Sequence, residues 1–186
     1  NWKRVLSMVL VAHSGSLLAA GLKNGGFEAL YQPAPVSKGS KGIVTGSIAD
    51  GWRDNSNWAD VSVDYGPETR GAHRGTAQRI TVSRFQSGAV QLVQTADVTQ
   101  GQSYRFRLWA RGTAGHSFQL TVQRAAPPYR TLVTETFSLA AEWKEVEAAF
   151  LARETAPVLL MIRATRATTF YVDDAQWEHL NQLNSN

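Results

Sequence analysis

Strict alternation of apolar and polar residues most constrains the fold of this chain. The stretch YRFRLWAR (104–111) places Tyr104, Phe106 and Leu108 on one face of an extended strand, and its arginines and Trp109 on the other. This pattern predicts a β-strand with one buried face. Comparable alternation recurs at 61–65, 80–82, 118–122, 146–150, 158–162 and 168–178.

Turn residues separate these segments, including Asp50-Gly51, Gly66-Pro67, Gly112–Gly115 and Pro127-Pro128. Turn chemistry at this spacing predicts about ten strands and favours an all-β sandwich or barrel. No helical period extends beyond the first twenty residues. The stretch 32–47, QPAPVSKGSKGIVTGS, is predicted to be a loop.

Composition narrows the class of protein. The 186 residues suffice for one domain with a real core, and 43% hydrophobic with 18% charged residues is typical of a globular chain. The absence of cysteine excludes disulfides, thiolate metal sites and cysteine nucleophiles. A net charge of +4 suits anionic partners, but the arginines are scattered and form no basic run, so the sequence does not indicate nucleic-acid binding.

The first twenty residues differ in composition from the rest of the chain. Residues 1–20 combine Lys3 and Arg4 with an apolar run and a small-residue end, the layout of a secretory signal. A docked N-terminal helix is the alternative, and the run is too short and too polar for stable membrane insertion. We therefore predict a signal-like segment at 1–20, one domain at 21–179, and a tail or linker at 180–186.

A search for catalytic motifs yields little. The histidines show no metal-binding spacing such as H-E-x-x-H, and no G-x-S-x-G elbow or phosphate-cradling glycine loop is present. A β-elimination lyase would need a tyrosine, a histidine and an arginine together, and Tyr129, His116 and Arg107 are the candidates. The sequence alone does not bring them together, so no enzyme is predicted.

Five stretches occur in a suggestive order: NGGFE at 24–28, GW at 51–52, GQSYRFRLWARG at 101–112, EWKEVEAAF at 142–150 and TFYVDDAQWE at 169–178. This ordered set resembles carbohydrate-binding modules of families 4, 9 and 22. The resemblance implies a galactose-binding-like β-jelly roll of antiparallel strands that binds a polysaccharide without catalysis. It also implies a bacterial protein, secreted or at the cell surface, with a covalently linked catalytic domain as a partner. A structural or adhesive jelly-roll module without its own sugar ligand is the alternative.

The resemblance further implies a structural calcium ion that ties the first strand to the last. Glu28 and Asp173 would supply carboxylates, Asp174 being the weaker candidate, and the Gly26 carbonyl would lie nearby. Carbonyls of the His73–Thr76 turn would complete the site, since AHRGT contains no acid. Calcium prefers six to eight hard oxygen ligands, which suits this set. The alternative is a pair of solvated acids at strand ends.

The resemblance also directs attention to aromatic and amide side chains, because sugar C–H groups pack on aromatic faces and amides bind hydroxyls. Trp109 is the leading candidate, because it shares the polar face of its strand and the matching strand lines the sugar cleft in the resembling modules. Trp58 and Tyr129 lie in polar or proline-rich loops where they could contact a ligand. Gln91 and Gln119 alternate outward on their strands.

Arginines form the last candidate group. Arg105, Arg107 and Arg111 share one strand face with Trp109, and Arg163 and Arg166 come from a later strand. If they line one sheet, the cleft is cationic and an acidic polysaccharide is favoured, because arginine binds carboxylates and sulfates in bidentate fashion. The alternative is a solvated basic face balanced by Glu135, Glu145 and Glu147.

Overall fold

The computed structural model describes residues 21–28, 30–34 and 41–180. Twelve β-strands and no helix occur in this part of the chain. Their bounds are β1 Tyr31–Pro33, β2 Ile43–Ala49, β3 Arg53–Asp54, β4 Asp60–Glu68, β5 Ala77–Ser87, β6 Val90–Val98, β7 Ser103–Gly112, β8 Ser117–Arg124, β9 Thr131–Ser138, β10 Lys144–Leu151, β11 Ala156–Ala164 and β12 Thr168–Leu180.

The strands form two sheets. The seven-stranded sheet has the order β1-β2-β4-β5-β12-β7-β10, and the five-stranded sheet has the order β3-β6-β11-β8-β9. All pairings are antiparallel except that of β2 with β4, which is parallel. The predicted all-β jelly-roll sandwich is thus confirmed, with two short strands, β1 and β3, among the twelve.

The core lies between the inner faces of the two sheets. On β7 the side chains of Tyr104, Phe106, Leu108 and Ala110 are buried in it, as the alternation predicts. Phe118, Leu120 and Val122 of β8 face them from the opposite sheet, and Phe118 packs against Phe170 of β12. Full burial of each such side chain stabilises the fold by about 1.5–3 kcal/mol, so the alternation orients β7 and β8.

The first described segment is fastened to the last strand. The carbonyl of Gly25 accepts a 2.8 Å hydrogen bond from the amide of Ala175. A Cβ on Gly25 would lie 2.2 Å from the Ala175 carbonyl oxygen, so this close approach requires glycine. Phe27 is fully buried and stacks on Trp52 at a centroid distance of 5.1 Å. The NGGFE and FYVDDAQWE stretches therefore meet, although about 145 residues separate them in the chain.

One organisational prediction is wrong. Part of the predicted 32–47 loop is β2, whose residues Ile43–Gly46 pair in parallel with Ser62–Tyr65 of β4. Its glycine, serine and threonine content conceals the strand, because β2 lies near the sheet edge and buries few of its side chains. The signal-like segment at 1–20 and most of the predicted tail lie outside the described residues; Leu180 ends β12. Within the described ranges, no helix has the length and apolarity to cross a membrane.

Candidate functional site

A groove of about 670 Å³ lies on the outer face of the five-stranded sheet. Its lining includes Leu159 and Met161, which form with the fully buried Val93 an apolar cluster separate from the main core. Alternation explains the separation, because the residues next to them on β6 and β11 point inward and these three point outward. These three side chains are buried, so the apolar cluster lies beneath the polar side chains of this face.

A cross-strand row of side chains lies on this face of the sheet, and two of its members, Gln91 and Arg163, line the groove. The strand register aligns Gln91 of β6, Arg163 of β11, Gln119 of β8 and Thr136 of β9 in one line, which we call the polar row. Hydrogen bonds join its members: Arg163 Nη1 donates to Gln119 Oε1 at 2.6 Å, and Gln119 Nε2 donates to Thr136 Oγ1 at 3.2 Å. The predicted outward orientation of Gln91 and Gln119 agrees with this arrangement.

The end of the polar row is fixed by the loop after β3. Asn55 Nδ2 donates a 2.7 Å hydrogen bond to Gln91 Oε1, and the Asn55 amide donates to the Gln91 carbonyl. Gln91 is almost fully buried, so its side chain is held in one orientation. A pre-oriented amide loses little side-chain entropy when a ligand binds.

Two exposed aromatic rings stand on opposite sides of the groove. Trp58 is 52% exposed and follows the edge strand β3, where its Nε1 donates to the Asn55 carbonyl. Tyr129 is 53% exposed and lies in the β8–β9 loop, where Gln123 Nε2 donates to its carbonyl. Both line the groove. Large aromatic side chains with half their surface in solvent are suited to contact a ligand.

Trp109 does not belong to this groove. Its strand, β7, is in the seven-stranded sheet, and Trp109 points to the outer face of that sheet, on the far side of the core. The imidazole of His73 stacks on its indole, with centroids 4.1 Å apart and planes inclined by 13°. The candidates Trp109, Gln91 and Gln119 therefore do not line one cleft, because β7 is in the seven-stranded sheet whereas β6 and β8 are in the five-stranded sheet.

On that face, Arg105 and Arg107 of β7 form ion pairs with glutamates of neighbouring strands. Arg105 and Arg107 share Glu178 of β12, with Arg105 Nε at 2.8 Å from Oε2 and Arg107 Nη2 at 2.9 Å from Oε1. Glu145 and Glu147 of β10 complete the ion pairs. The predicted cationic cleft built on Arg105, Arg107 and Arg111 is wrong, since this is the balanced charged surface of the alternative interpretation.

Arg111, the third arginine of β7, contacts aromatic rings instead of carboxylates. Its guanidinium lies over the rings of Tyr171, at 4.3 Å from the centroid, and Trp143, at 5.4 Å. Its Nε and the indole Nε1 of Trp143 both donate to the carbonyl of Gly71. The loop between β4 and β5 is thereby fixed over the outer face of the seven-stranded sheet, and it carries His73 onto Trp109.

Part of the predicted metal-binding region converges: ligand atoms of His73, Asp173 and Asp174 lie within 4.8 Å of one another. The amide of Thr76 donates to Glu28 Oε2 at 3.0 Å, and the amide of Arg74 donates to Asp173 Oδ2 at 2.9 Å. Asp174 Oδ2 lies 2.9 Å from Nδ1 of His73. We call this group, Glu28, His73, Thr76, Asp173 and Asp174, the junction. It joins the first described segment, the β4–β5 loop and the last strand.

Glycines permit the close contacts of the junction. At Gly75, with a φ of +51°, a Cβ would lie 2.1 Å from Glu28 Oε1. Gly26 lies beside both Glu28 and Asp174. Asp174 itself has a positive φ of 48° in the irregular part of β12, where the register with β7 shifts between Asp173 and Gln176. This bulge turns two consecutive carboxylates toward the junction.

Three carboxylates lie at the junction, and one of them, Asp174, is paired with Arg74, whose Nε lies 3.6 Å from Asp174 Oδ2. Burial, together with the charges of Asp174 and Glu28, raises the pKa of Asp173 to about 6, although hydrogen bonds from the Arg74 and Asp174 amides oppose the shift. Burial and the charges of Asp173 and Glu28 also raise the pKa of Tyr31, whose hydroxyl donates to the carbonyls of Phe27 and Ala77. Oxygen-rich, mutually repelling carboxylates suit a hard cation.

One detail differs from expectation. The described contacts of the His73–Thr76 turn with the carboxylates are made by backbone amides, with the His73 imidazole added, whereas carbonyls were expected. The reason is chemical: carboxylate oxygens accept hydrogen bonds, so the turn presents donors to them. Ligation by the carbonyls of Gly26 and of this turn stays a prediction.

The lyase alternative fails on geometry. Tyr129 lines the groove of the five-stranded sheet, whereas Arg107 is ion-paired on the outer face of the other sheet. His116 lies in the β7–β8 turn, with its Nδ1 3.0 Å from Thr168 Oγ1. The three candidate side chains do not meet.

A family model described as "Carbohydrate binding domain" (CBM_4_9) matches residues 19–167, well over half of the chain. The chain belongs to this carbohydrate binding domain family. No curated protein sequence matches it.

Solved structures share the fold of this carbohydrate binding domain. A structure entitled "CBM4 structure and function" is 18% identical with a TM-score of 0.64, covering 86% of this chain and 99% of the other. The CBM22-1 xylan-binding domain of Paenibacillus barcinonensis Xyn10C is 14% identical with a TM-score of 0.56, covering 88% and 96%. The CBM22-1–GH10 modules of Clostridium thermocellum xylanase 10B, complexed with xylohexaose, are 15% identical with a TM-score of 0.54, covering 87% and 29%.

Sequence reasoning missed several groove residues of the carbohydrate binding domain. Arg53 and Asn55 lie in and after a two-residue strand that alternation cannot detect. Thr121 and Thr134 face each other across β8 and β9, with their hydroxyls 3.0 Å apart. The position of Thr121 between the apolar residues Leu120 and Val122 could have indicated it.

Proposed function

We propose that this domain binds a polysaccharide chain without catalysis, in the groove on the outer face of the five-stranded sheet. The observation that carries the proposal is the combination of two exposed aromatic rings and a polar row of side chains on one face of a member of this family. Trp58 and Tyr129 would pack on sugar rings, while Gln91, Gln119 and Asn55 would bind hydroxyls.

The groove chemistry supports a binding role over a hydrolytic one. Glycoside hydrolysis usually needs two carboxyl groups on either side of the scissile bond. Among the described residues that line the groove, none is aspartate or glutamate. The carboxylates that do converge lie at the junction, which is assigned below to a structural role.

The experiment is electrophoretic retardation in native gels containing neutral and acidic polysaccharides. The wild-type domain should be retarded by at least one polymer, and Trp58→Ala should weaken that retardation on the order of 10-fold, because a central aromatic contact is lost. The matched control is Leu151→Ala, which removes a similarly exposed apolar side chain from β10 of the other sheet. No retardation by any polymer would favour the structural or adhesive module.

We further propose that the junction holds a structural Ca²⁺ ion. Glu28, Asp173 and Asp174 would provide carboxylate oxygens, with backbone oxygens of Gly26 and of the His73–Thr76 turn as further ligands. Bound calcium supplies positive charge that offsets the repulsion among these acids. The burial of Asp173 beside Asp174 supports this assignment, because a buried carboxylate without a counter-charge is destabilising.

The setting of the domain is proposed by analogy. The xylanase 10B structure joins its CBM22-1 module to a GH10 module. We propose that this domain likewise belongs to a bacterial protein, secreted or at the cell surface, in which it directs a linked catalytic domain to a polysaccharide. The test is enzyme assay of the natural protein with and without this domain on insoluble substrate, where loss of the domain should lower activity.

A further inference from the structure

The groove contains an arginine with no opposite charge. Arg163 lies on β11, the middle strand of the five-stranded sheet, between Gln91 and Gln119 in the polar row. Its Nη1 donates to the Gln119 side-chain oxygen, and within the described part of the chain no carboxylate pairs with it. Its guanidinium therefore retains donors that no described acceptor uses.

The position of Arg163 is unfavourable for a lone charge. Its side chain is partly buried, and this burial lowers the pKa of its guanidinium. Removing a cation from water without a counter-charge costs free energy. The arginines of β7, by contrast, all have acidic or aromatic partners. An anionic group in the groove would give Arg163 the missing partner.

The other charged residue that lines the groove, Arg53, is also positive. Arg53 on the edge strand β3 lines the groove, is exposed, and forms no ion pair among the described residues. With two arginines and no acid, the described lining carries a formal charge of +2. The acidic residue of β6 whose side chain points outward is Asp97. It follows Thr95 and lies at the end of the strand opposite to Gln91. The positive potential at Arg163 is therefore not cancelled locally.

We infer that the groove is selective for an anionic polysaccharide and that Arg163 is its specificity-determining residue, binding a carboxylate or sulfate group on a sugar ring. This inference rests on the proposed function. Gln119 orients the guanidinium, Gln91 and Asn55 bind neighbouring hydroxyls, and Trp58 and Tyr129 contact adjacent rings. The guanidinium offers planar paired donors, the geometry that both anionic groups accept.

The test is isothermal titration calorimetry with matched pairs of oligosaccharides that differ only in charge. The probes are short oligogalacturonates and their methyl esters, glucuronoxylan fragments and the same fragments with reduced uronic acids, and sulfated galactan fragments with their desulfated forms. The wild-type domain should bind the charged member of at least one pair on the order of 10-fold more tightly, with the preference falling at high salt. The uronate and sulfate pairs distinguish the two anionic groups.

Arg163→Gln should abolish this preference, because the affinity for the charged member should fall on the order of 10-fold further than the affinity for the neutral member. Arg163→Lys keeps the charge without the paired donors and should give an intermediate preference. Arg70→Gln is the control, since it removes the same charge from the β4–β5 loop of the other sheet. Thermal unfolding of each variant checks that the fold is intact.

Equal affinity of the wild-type domain for charged and neutral members, or an equal loss of both in Arg163→Gln, would overturn the inference and leave the proposed function standing. Binding of no oligosaccharide from any pair, together with no retardation by any polymer, would overturn the proposed function and the inference with it.

Discussion

The imidazole of His73 covers the indole of Trp109, with the two ring centroids 4.1 Å apart. His73 also meets Trp143 edge to face, and the carbonyl of Gly71 accepts hydrogen bonds from Trp143 and Arg111. The loop before β5 is thus packed on the outer face of the seven-stranded sheet. Trp109 is a packing residue for this loop.

Replacing Trp109 should therefore affect stability and spare ligand binding. Trp109→Ala removes the stacking partner of His73 and a half-buried indole, and we expect it to lower the free energy of unfolding by about 2 kcal/mol. Urea denaturation measures this change, and gel retardation by the ligand of the wild-type domain should persist. A stable Trp109→Ala variant that has lost retardation would place the site on the seven-stranded sheet.

Calcium should stabilise the domain through the junction. Addition of calcium after treatment with chelator should raise the melting temperature by several degrees, because the ion binds the folded state and offsets the carboxylate charges. Glu28→Gln keeps an oxygen acceptor for the Thr76 amide and removes one charge, so it should weaken or abolish the calcium-dependent shift. Differential scanning calorimetry with and without calcium provides the measurement.

Glu135→Gln is the control for this experiment, since Glu135 lies on the exposed edge strand β9 of the other sheet. It should retain the full calcium-dependent shift. Identical melting curves of the wild-type domain in calcium and in chelator would count against a calcium site at the junction.

Glu178 should contribute to stability in a pH-dependent way. Burial opposes its ionisation, but hydrogen bonds and charges from Arg105 and Arg107 together outweigh burial and lower the pKa of Glu178 below its ordinary value of 4.5. A depressed pKa in the folded state means that the stabilisation is present above pH 4.5 and is lost as the pH falls through the folded-state value.

The difference in unfolding free energy between the wild-type domain and Glu178→Gln should be no more than about 1 kcal/mol at neutral pH, because the pair is partly solvated. It should shrink as the pH falls below 4.5. Urea denaturation across this pH range measures it. A difference that stays constant into the acid range would show that packing, rather than the ion pairs, explains the effect of the substitution.

The alternation of apolar and polar residues determines how much of the fold can be predicted from the sequence. It identifies which face of β7 is buried, because Phe106 and Leu108 must leave water while Arg105 and Arg107 remain in it. It does not identify which sheet contains β7, since both sheets of a sandwich have the same alternating pattern. For that reason the sequence does not show that Trp109 lies on a different sheet from Gln91 and Gln119.

The junction and the groove differ in how far they could be predicted. The convergence of Glu28 with Asp173 follows from the resemblance, because the ordered motifs carry both residues. The pairing of Arg107 with Glu178 and the isolation of Arg163 depend on register between strands far apart in sequence. No local pattern specifies that register, so the arginine that faces the groove could not be distinguished from those that do not.

The most direct test of the central claim uses the six tryptophan indole N–H signals in a proton–nitrogen correlation spectrum. Single Trp→Phe variants assign the signals, and fragments of a polymer that retards the domain serve as the titrant. A ligand in the groove of the five-stranded sheet should shift the Trp58 signal and leave those of Trp109 and Trp143 unchanged. Shifts of Trp109 and Trp143 with an unchanged Trp58 signal would contradict this account.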